Sequence, residues 1–367
     1  MKKRKCAHGR CAKCFLTGRK TYLCAVKYLF TVLFCCLLVL SATAQERRFR
    51  LVEWNVENLF DTLHDEGFDD RDFLPDGAYG WNAQRYRTKL SLVARTLAAL
   101  GGSVPVDVMA LCEVENDSVL ACLTRQTLLA RLGYEYVMTH SSDRRGIDVA
   151  LLYQPMSFRP IATREYAVPN DVRGGRPLRH ILYVKGETSS GDTLYIMVCH
   201  LPSRRGGRRA SEPARLRASA VMAAVADSLL QADSTAKIII TGDFNDEPHN
   251  AAIRFVLSAS PPPDAVKEIK QCGLYVLTAR LAAEPGISGT YKFRGRWNRL
   301  DNIVVSGGLL SYSSFHTSES DCAIAALPHL LEPDGRRGEV RVRRTFLGTH
   351  FHGGASDHLP LTLDFYY

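Results

Sequence analysis

Past residue 44 the chain has no surplus charge of either sign. The 367-residue sequence carries 47 Lys and Arg against 38 Asp and Glu, a formal net charge of +9. Nine of the cations (Lys2, Lys3, Arg4, Lys5, Arg10, Lys13, Arg19, Lys20 and Lys27) precede residue 45, where no acid occurs, so the remainder balances at 38 against 38. A global basic field of the kind that recruits nucleic acid or a membrane surface is therefore excluded, and any grip on a polyanion must come from local patches. Cysteine is scarce as well. Six of the eleven (Cys6, Cys11, Cys14, Cys24, Cys35 and Cys36) lie in the leader, leaving Cys112, Cys122, Cys199, Cys272 and Cys322. An odd number, with Cys112 and Cys199 inside apolar runs, gives no disulfide framework and makes those two thiols small core residues. No long linker and no internal repeat interrupts residues 45–367, which are long enough to bury one core as a single domain.

What the leader has is a basic start and the apolar run 28–40, followed by Ser41-Ala42-Thr43-Ala44 before Gln45. Thirteen residues fall short of a membrane span, and Ala42-Thr43-Ala44 is a small-x-small cleavage site. Residues 1–44 are thus expected to be a secretory signal peptide, with an uncleaved anchor as the alternative, and the protein to be exported to the periplasm or the extracellular space. Cys6, Cys11 and Cys14 with His8 have the look of a fragmentary zinc site, but no folded module surrounds them.

From residue 46 onward strand-like and helix-like segments alternate. Short, largely apolar runs predict strands over 49–55, 106–111, 147–153, 237–241, 303–305 and 359–365, and a hairpin from 181–184 and 193–198. Helices are expected over 85–100, where Tyr86, Leu90, Val93, Leu97 and Leu100 recur at helical spacing, over 118–132, and over 211–232 after Ser-Glu-Pro. Hairpins mixed with crossovers imply an α/β fold of two mixed β-sheets packed face to face with flanking helices. Two stretches fit poorly and are expected to be surface insertions. Residues 61–80 hold seven acids, suiting a solvated loop or a calcium site, and residues 325–344 mix Pro, Gly and five arginines.

Several apolar runs end in polar residues: Glu113, His200, Asp243 with Asn245, Asp301, and Asp357 with His358. Polar groups where buried strands emerge usually carry chemistry. The inventory is hard oxygen donors and two imidazoles, without a nucleophilic Ser or Cys, which suits metal-assisted phosphoester hydrolysis. In Gly242-Asp243-Phe244-Asn245 an i, i+2 spacing directs the carboxylate and the amide to one spot, and Gly242 lets the backbone approach it closely. Asp301, Asp357, His200 and His358 permit two carboxylate–imidazole couples, each fixing a tautomer and raising the imidazole pKa.

Trp54-Asn55-Val56-Glu57-Asn58, Glu113 within Cys-Glu-Val-Glu, Gly242-Asp243-Phe-Asn245, Leu300-Asp301 and Ser356-Asp357-His358-Leu-Pro together resemble the motif set of the endonuclease/exonuclease/phosphatase superfamily. They occur in that family's order and span nearly all of residues 45–367. The resemblance implies a four-layered α/β sandwich forming one catalytic domain over 45–367, and Mg2+ or Mn2+ as cofactor. It implies that Glu113 is the metal carboxylate with Asn55 beside it, that Glu57 is a second acidic residue there, and that Asp357 lies on the metal side. It also implies that Asp243 and Asn245 orient water and contact phosphate, that Asp301 orients a histidine, and that His358 binds phosphate or acts as base. His200 before Leu201-Pro202 resembles the deoxyribonuclease, sphingomyelinase and inositol-phosphatase branches; abasic-site endonucleases tend to have Tyr there.

Substrate is less legible. Arg204, Arg205, Arg208 and Arg209 follow His200 and could hold extra phosphates, joined by Arg144 and Arg145, or could form a solvated loop. The expected substrate is a phosphodiester, with nucleic acid favoured. A phosphatase or phospholipase-C-like enzyme acting on inositol phosphates or sphingomyelin is the alternative, and a non-catalytic binding module is a third. A monomer without an obligate protein partner is expected.

Overall fold

Side-chain alternation on the first strand sets the architecture. In β1 (Arg48–Leu59), Phe49 and Leu51 face one way while Val52, Trp54 and Val56 face the other, and all five are buried. A strand buried on both faces must lie in a middle layer. The computed structural model describes residues 47–170, 178–281, 286–311, 314–335 and 339–367, so the leader, its cysteines and the expected cleavage site lie outside the described residues.

After β1 the chain forms α1 (Ala83–Gly101), β2 (Val108–Val114), α2 (Asp117–Arg125), β3 (Glu135–Met138), β4 (Asp148–Tyr153), β5 (Phe158–Tyr166), β6 (Ile181–Thr188), β7 (Thr193–His200) and α3 (Arg208–Ala232). Then come β8 (Lys237–Asp243), β9 (Leu274–Val276), β10 (Tyr291–Phe293), β11 (Arg296–Asn298), β12 (Asp301–Ser306) and β13 (Cys322–Ile324). The chain closes with β14 (Leu331–Asp334), β15 (Glu339–Val342), β16 (Phe346–Leu347), β17 (His350–Phe351) and β18 (Leu361–Tyr366). One six-stranded sheet has the order β13-β18-β1-β2-β4-β3 and the other β5-β6-β7-β8-β12-β9. Only β1 with β2 and β7 with β8 pair in parallel within these sheets.

The two sheets bury a common core of Phe49, Leu51, Val108, Ala110, Ile196, Val198, Ile239 and Ile303. Outside the first sheet, Trp54, Met109 and Leu111 pack on Leu90, Val93 and Leu97 of α1. Outside the second, Met197, Ile238 and Ile240 meet Ala218, Met222 and Ala226 of α3. This is the expected four-layered α/β sandwich. Each buried aliphatic side chain contributes about 1.5–3 kcal/mol relative to exposure, which fixes the strands whose ends carry the polar residues.

Several boundaries differ from the sequence expectation for local reasons. The helix expected over 118–132 stops at Arg125, because extended backbone at Thr127 starts a separate 3-10 turn whose Leu129 N–H the Thr127 hydroxyl caps. The last long helix begins at Arg208, leaving Pro213 inside it. Strand β5 gave no clear sequence signal, since an exposed edge strand containing Pro160 lacks apolar alternation. Residues 61–80 are more than a surface insertion. Phe73 joins Phe60, Trp81 and Ile147 in a small core, and Asp61 and Asp70 accept backbone N–H groups within the loop. Residues 325–344 likewise form the β14–β15 hairpin, with Leu330 and Val342 buried against the α1 layer.

Candidate active site

The parity that fills the core also builds the site. Extending the inward-facing positions of each strand to its end places Asn55 on β1, His200 on β7, Asp243 on β8 and Asp301 on β12 at one rim between the sheets. Register aligns three of them: His200 is opposite Asp243 across the parallel pair, and Asp301 is opposite Asp243 across the antiparallel pair. The segment Ser356-Asp357-His358 is pinned onto β1 by Ser356 Oγ donating to Asn55 O (2.5 Å) and Trp54 Nε1 donating to His358 O (2.9 Å). Backbone strain gathers here. Glu57, Asn58, Glu113 and Asn245 all adopt positive φ, between 48° and 66°, a region that costs non-glycine residues energy and clusters at functional sites. Gly242 has a different role from the expected one. A Cβ there would come within 1.9 Å of Cys199 O, so its smallness serves the β7–β8 contact beneath the site.

Asp243 is the hub. Its Oδ1 accepts from Asn245 N (2.8 Å), and its Oδ2 accepts from Asn245 Nδ2 and Asn55 Nδ2 (both 3.1 Å). Asn245 Nδ2 also donates to Leu201 O at 3.1 Å, so the amide is a brace for Asp243 more than a free phosphate donor. Glu113 Oε2 accepts from Asn58 N (2.8 Å), and its Oε1 is 3.3 Å from Asn55 Nδ2 and 3.7 Å from His200 Nε2. Glu57 accepts from Thr345 N at 2.8 Å, and buried Lys89 donates to its backbone carbonyl and to Thr345 Oγ1. Asp357 is nearer the surface, 3.6 Å from Arg344 and 3.8 Å from His358 Nε2.

The surroundings push the two imidazoles in opposite directions. Burial opposes a proton on His358, but Asp301, whose Oδ2 is 2.7 Å from its Nδ1, with Asp357 and Asp243, outweighs burial and holds the ring well above the usual pKa. His200 goes the other way. Burial, then the charges of Arg179, Arg145 and His358, push it well below, and its buried Nδ1 has no hydrogen-bond partner among the described residues. Only one of the two expected carboxylate–imidazole couples exists, because Asp243 lies 3.5 Å from His200 Nε2 and is committed to amide donors. Burial and the adjacent Asp301 raise Asp243 to about 7. Burial and Asp357 raise Glu57 to about 7, and burial with Asp301 and Asp243 lifts the fully enclosed Glu53 well above the carboxylate range. Glu113 alone is held low: burial disfavours its charge, but Arg145, Arg179 and the Asn58 N–H overcome that.

Crowded carboxylates with raised pKa values are a donor set short of positive charge, the condition a bound divalent cation relieves. Asp243, Asp301 and His358 each offer a ligand atom within 4.8 Å of the others. The Asp301–His358 hydrogen bond occupies that group, however, so an ionised Glu113 with Asn55, backed by Glu57 and Asp357, is the better cradle for a hard cation that keeps waters.

Of the arginines expected at the substrate, Arg145 lies at the site, whereas Arg204, Arg208 and Arg144 are engaged elsewhere. Arg204 donates to Asn245 O (2.8 Å) and Asp246 (3.3 Å), Arg208 to Asn250 Oδ1 (3.3 Å), and Arg144 pairs with Asp69 at the surface (2.7 Å). The loop after His200 folds back onto the second sheet because Asp246, fully buried, draws both Arg204 and the fully buried Arg215 to it. The cations that act on the site are Arg145, Arg179 and Arg344. Arg179 was not foreseen; it donates to His200 O and Leu201 O at 3.0 and 3.1 Å, and no motif marks it. Lys89 did carry a signal, being the one cation in the apolar stripe of α1. Tyr291, whose ring centroid is 4.7 Å from that of His358, gave none.

A sequence model described as the endonuclease/exonuclease/phosphatase family matches residues 51–366. No curated protein matches the sequence. Solved structures share its fold. The mannosyl-6-phosphatase Bt3783 of Bacteroides thetaiotaomicron VPI-5482 superposes with a TM-score of 0.56 at 16% identity, covering 87% of this chain and 100% of that one. D. rerio TDP2 complexed with single-strand DNA product gives 0.52 at 16% identity, covering 87% and 98%. The human Nocturnin catalytic domain with bound sulfate anion gives 0.50 at 17% identity, covering 88% and 98%.

Proposed function

The chain belongs to the endonuclease/exonuclease/phosphatase family, and on that premise we propose that it is an exported, Mg2+- or Mn2+-dependent phosphodiesterase whose preferred substrate is nucleic acid. The family is one of divalent-metal-dependent phosphoester hydrolases. The observation that favours a diester here is the state of the nearby cations. Arg179 is spent on His200 O, Leu201 O and Asp143, Arg145 on Asn58 Oδ1, and Arg344 faces Asp357. A rim so rich in carboxylates suits the single charge of a diester better than a monoester dianion.

A divalent cation held by Glu113 and Asn55, with Glu57 and Asp357 behind, would draw electron density from a phosphoryl oxygen and so favour attack at phosphorus. The chain's own groups handle the protons. Asp243, near neutrality in pKa and fixed by three N–H donors, accepts a proton from the attacking water. The water oxygen forms the new P–O bond as the ester P–O bond breaks, the departing oxygen takes up a proton from solvent, and Asp243 returns its own to solvent. His358, kept protonated by Asp301, stabilises charge gathering on the phosphoryl oxygens. His200, neutral and between Glu113 and Asp243, contacts substrate oxygen without adding charge.

Assaying the purified protein with Mg2+, Mn2+ or excess chelator against DNA, RNA, sphingomyelin, inositol phosphates and an aryl phosphodiester tests this reading. Diester cleavage that chelator abolishes is expected. Full activity in chelator, or phosphate release from inositol phosphates without diester cleavage, overturns it. Export is checked by N-terminal sequencing of the secreted protein, which should start at Gln45.

A further inference from the structure

Beside the catalytic rim the β10–β11 hairpin turns over Arg294-Gly295, both at positive φ (50° and 80°). Such two-residue turns favour Asn or Gly at the first position, so an arginine there is conformationally disfavoured and calls for another reason. The hairpin presents Tyr291 and Phe293 on one face, rings 6.3 Å apart and 12° from parallel. Tyr291 rests on His358, so the three rings step outward from the catalytic imidazole. Phe293 is 50% exposed at the end of that row. A guanidinium flanks each tyrosine and phenylalanine ring: Arg344 Cζ lies 5.2 Å from the Tyr291 centroid and Arg294 Cζ 5.2 Å from that of Phe293. The hairpin is anchored from its other face by Lys292, which donates to Glu339 and to Val340 O, both at 2.8 Å.

This row borders a cavity of about 560 Å3 whose lining includes Lys292, Phe293, Arg294, Asp334, Arg341 and Arg344. Lys292 and Arg341 are neutralised by Asp334 and Glu332, whereas no carboxylate pairs with Arg294 among the described residues. Stacked rings alternating with cations match a ligand that alternates planar rings with phosphates. A choline headgroup suits aromatic faces but would be repelled by the unpaired Arg294 guanidinium, and an acyl chain has no use for the cation.

We propose that this cavity is the subsite for a nucleotide flanking the scissile phosphate, its base stacked on Phe293 and its phosphate facing Arg294. The inference rests on the phosphodiesterase reading and narrows its substrate to single-stranded nucleic acid. Base–aromatic stacking of this sort is sequence-tolerant.

The test scans one abasic nucleotide along a short oligo(dT) substrate with the wild type, Phe293→Ala, Phe293→Trp and Arg294→Ala. At one position the missing base should lower the wild-type kcat/KM about 10-fold, should cost Phe293→Ala less than about 2-fold, and should cost Phe293→Trp as much as the wild type. Arg294→Ala should flatten the log–log salt dependence by about 0.7. Equal abasic penalties in wild type and Phe293→Ala, with both proteins folded by thermal melting, overturn the subsite while leaving the phosphodiesterase reading intact. If the wild type cleaves no oligonucleotide, that reading fails. The subsite is then decided by the Kd of labelled oligo(dT) for His358→Ala with and without Phe293→Ala, and equal values overturn it. A loss confined to hexose phosphate hydrolysis also overturns it.

Discussion

Asp301 Oδ2 lies 2.7 Å from His358 Nδ1, joining the first residue of β12 to a segment 57 positions later that is fastened to β1. The contact spans the two sheets, so the sandwich must close before the imidazole acquires its proton-holding partner.

Replacing Asp301 with Asn should leave the fold and lower kcat by at least about 100-fold. The sign of the pH effect follows from the pair. Asp301 raises the His358 pKa, so its loss moves the alkaline limb of the kcat profile to lower pH. An unchanged limb, measured between pH 5 and 10 with Mg2+ saturating, would contradict the assignment.

Metal should stabilise the protein in a pH-dependent way. Asp243 and Glu57 are raised to about 7, so between their unfolded values near 4 and pH ~7 the folded state binds more protons than the unfolded chain. Their contribution to stability therefore falls as pH rises through that window. A cation whose cradle needs Glu57 ionised opposes that trend. The Mg2+-induced rise in Tm should be larger at pH 8 than at pH 5, and Glu113→Gln should raise the Mg2+ needed for half-maximal activity about 10-fold. A Tm increment independent of pH would count against the carboxylate cradle.

Arg215 and Asp246 are both fully enclosed and 3.3 Å apart, and Arg215 also donates to Pro202 O and Arg208 O. Removing one member of a buried ion pair costs about 3–5 kcal/mol. Arg215→Ala should lower urea-unfolding stability by that amount. Surface Arg205→Ala should change it by less than about 0.5 kcal/mol. Similar values for the two variants would show that the pair holds nothing together.

The sequence by itself determined the layers and most of the rim. Near-continuous apolar runs in 193–198 and 237–241 dictate strands buried on both faces, and period two then fixes that His200 and Asp243 point inward. Helical spacing of apolar residues on α1 revealed its buried stripe. Tertiary structure alone decided the electrical identity of the site. Asp357, next to His358 in sequence, contributes less to its shift than the distant Asp301. Burial, then Arg179 and Arg145 from distant loops, pushes His200 below the usual imidazole pKa, whereas Asp301, brought by β12, outweighs burial and holds His358 above it. Nor could adjacency show that Arg204 turns toward Asp246 while Arg344, 140 residues on, turns toward Asp357. Periodicity reports which way a side chain leaves its own strand. Charge depends on long-range contacts at a few ångströms, and those exist only once the sheets have packed.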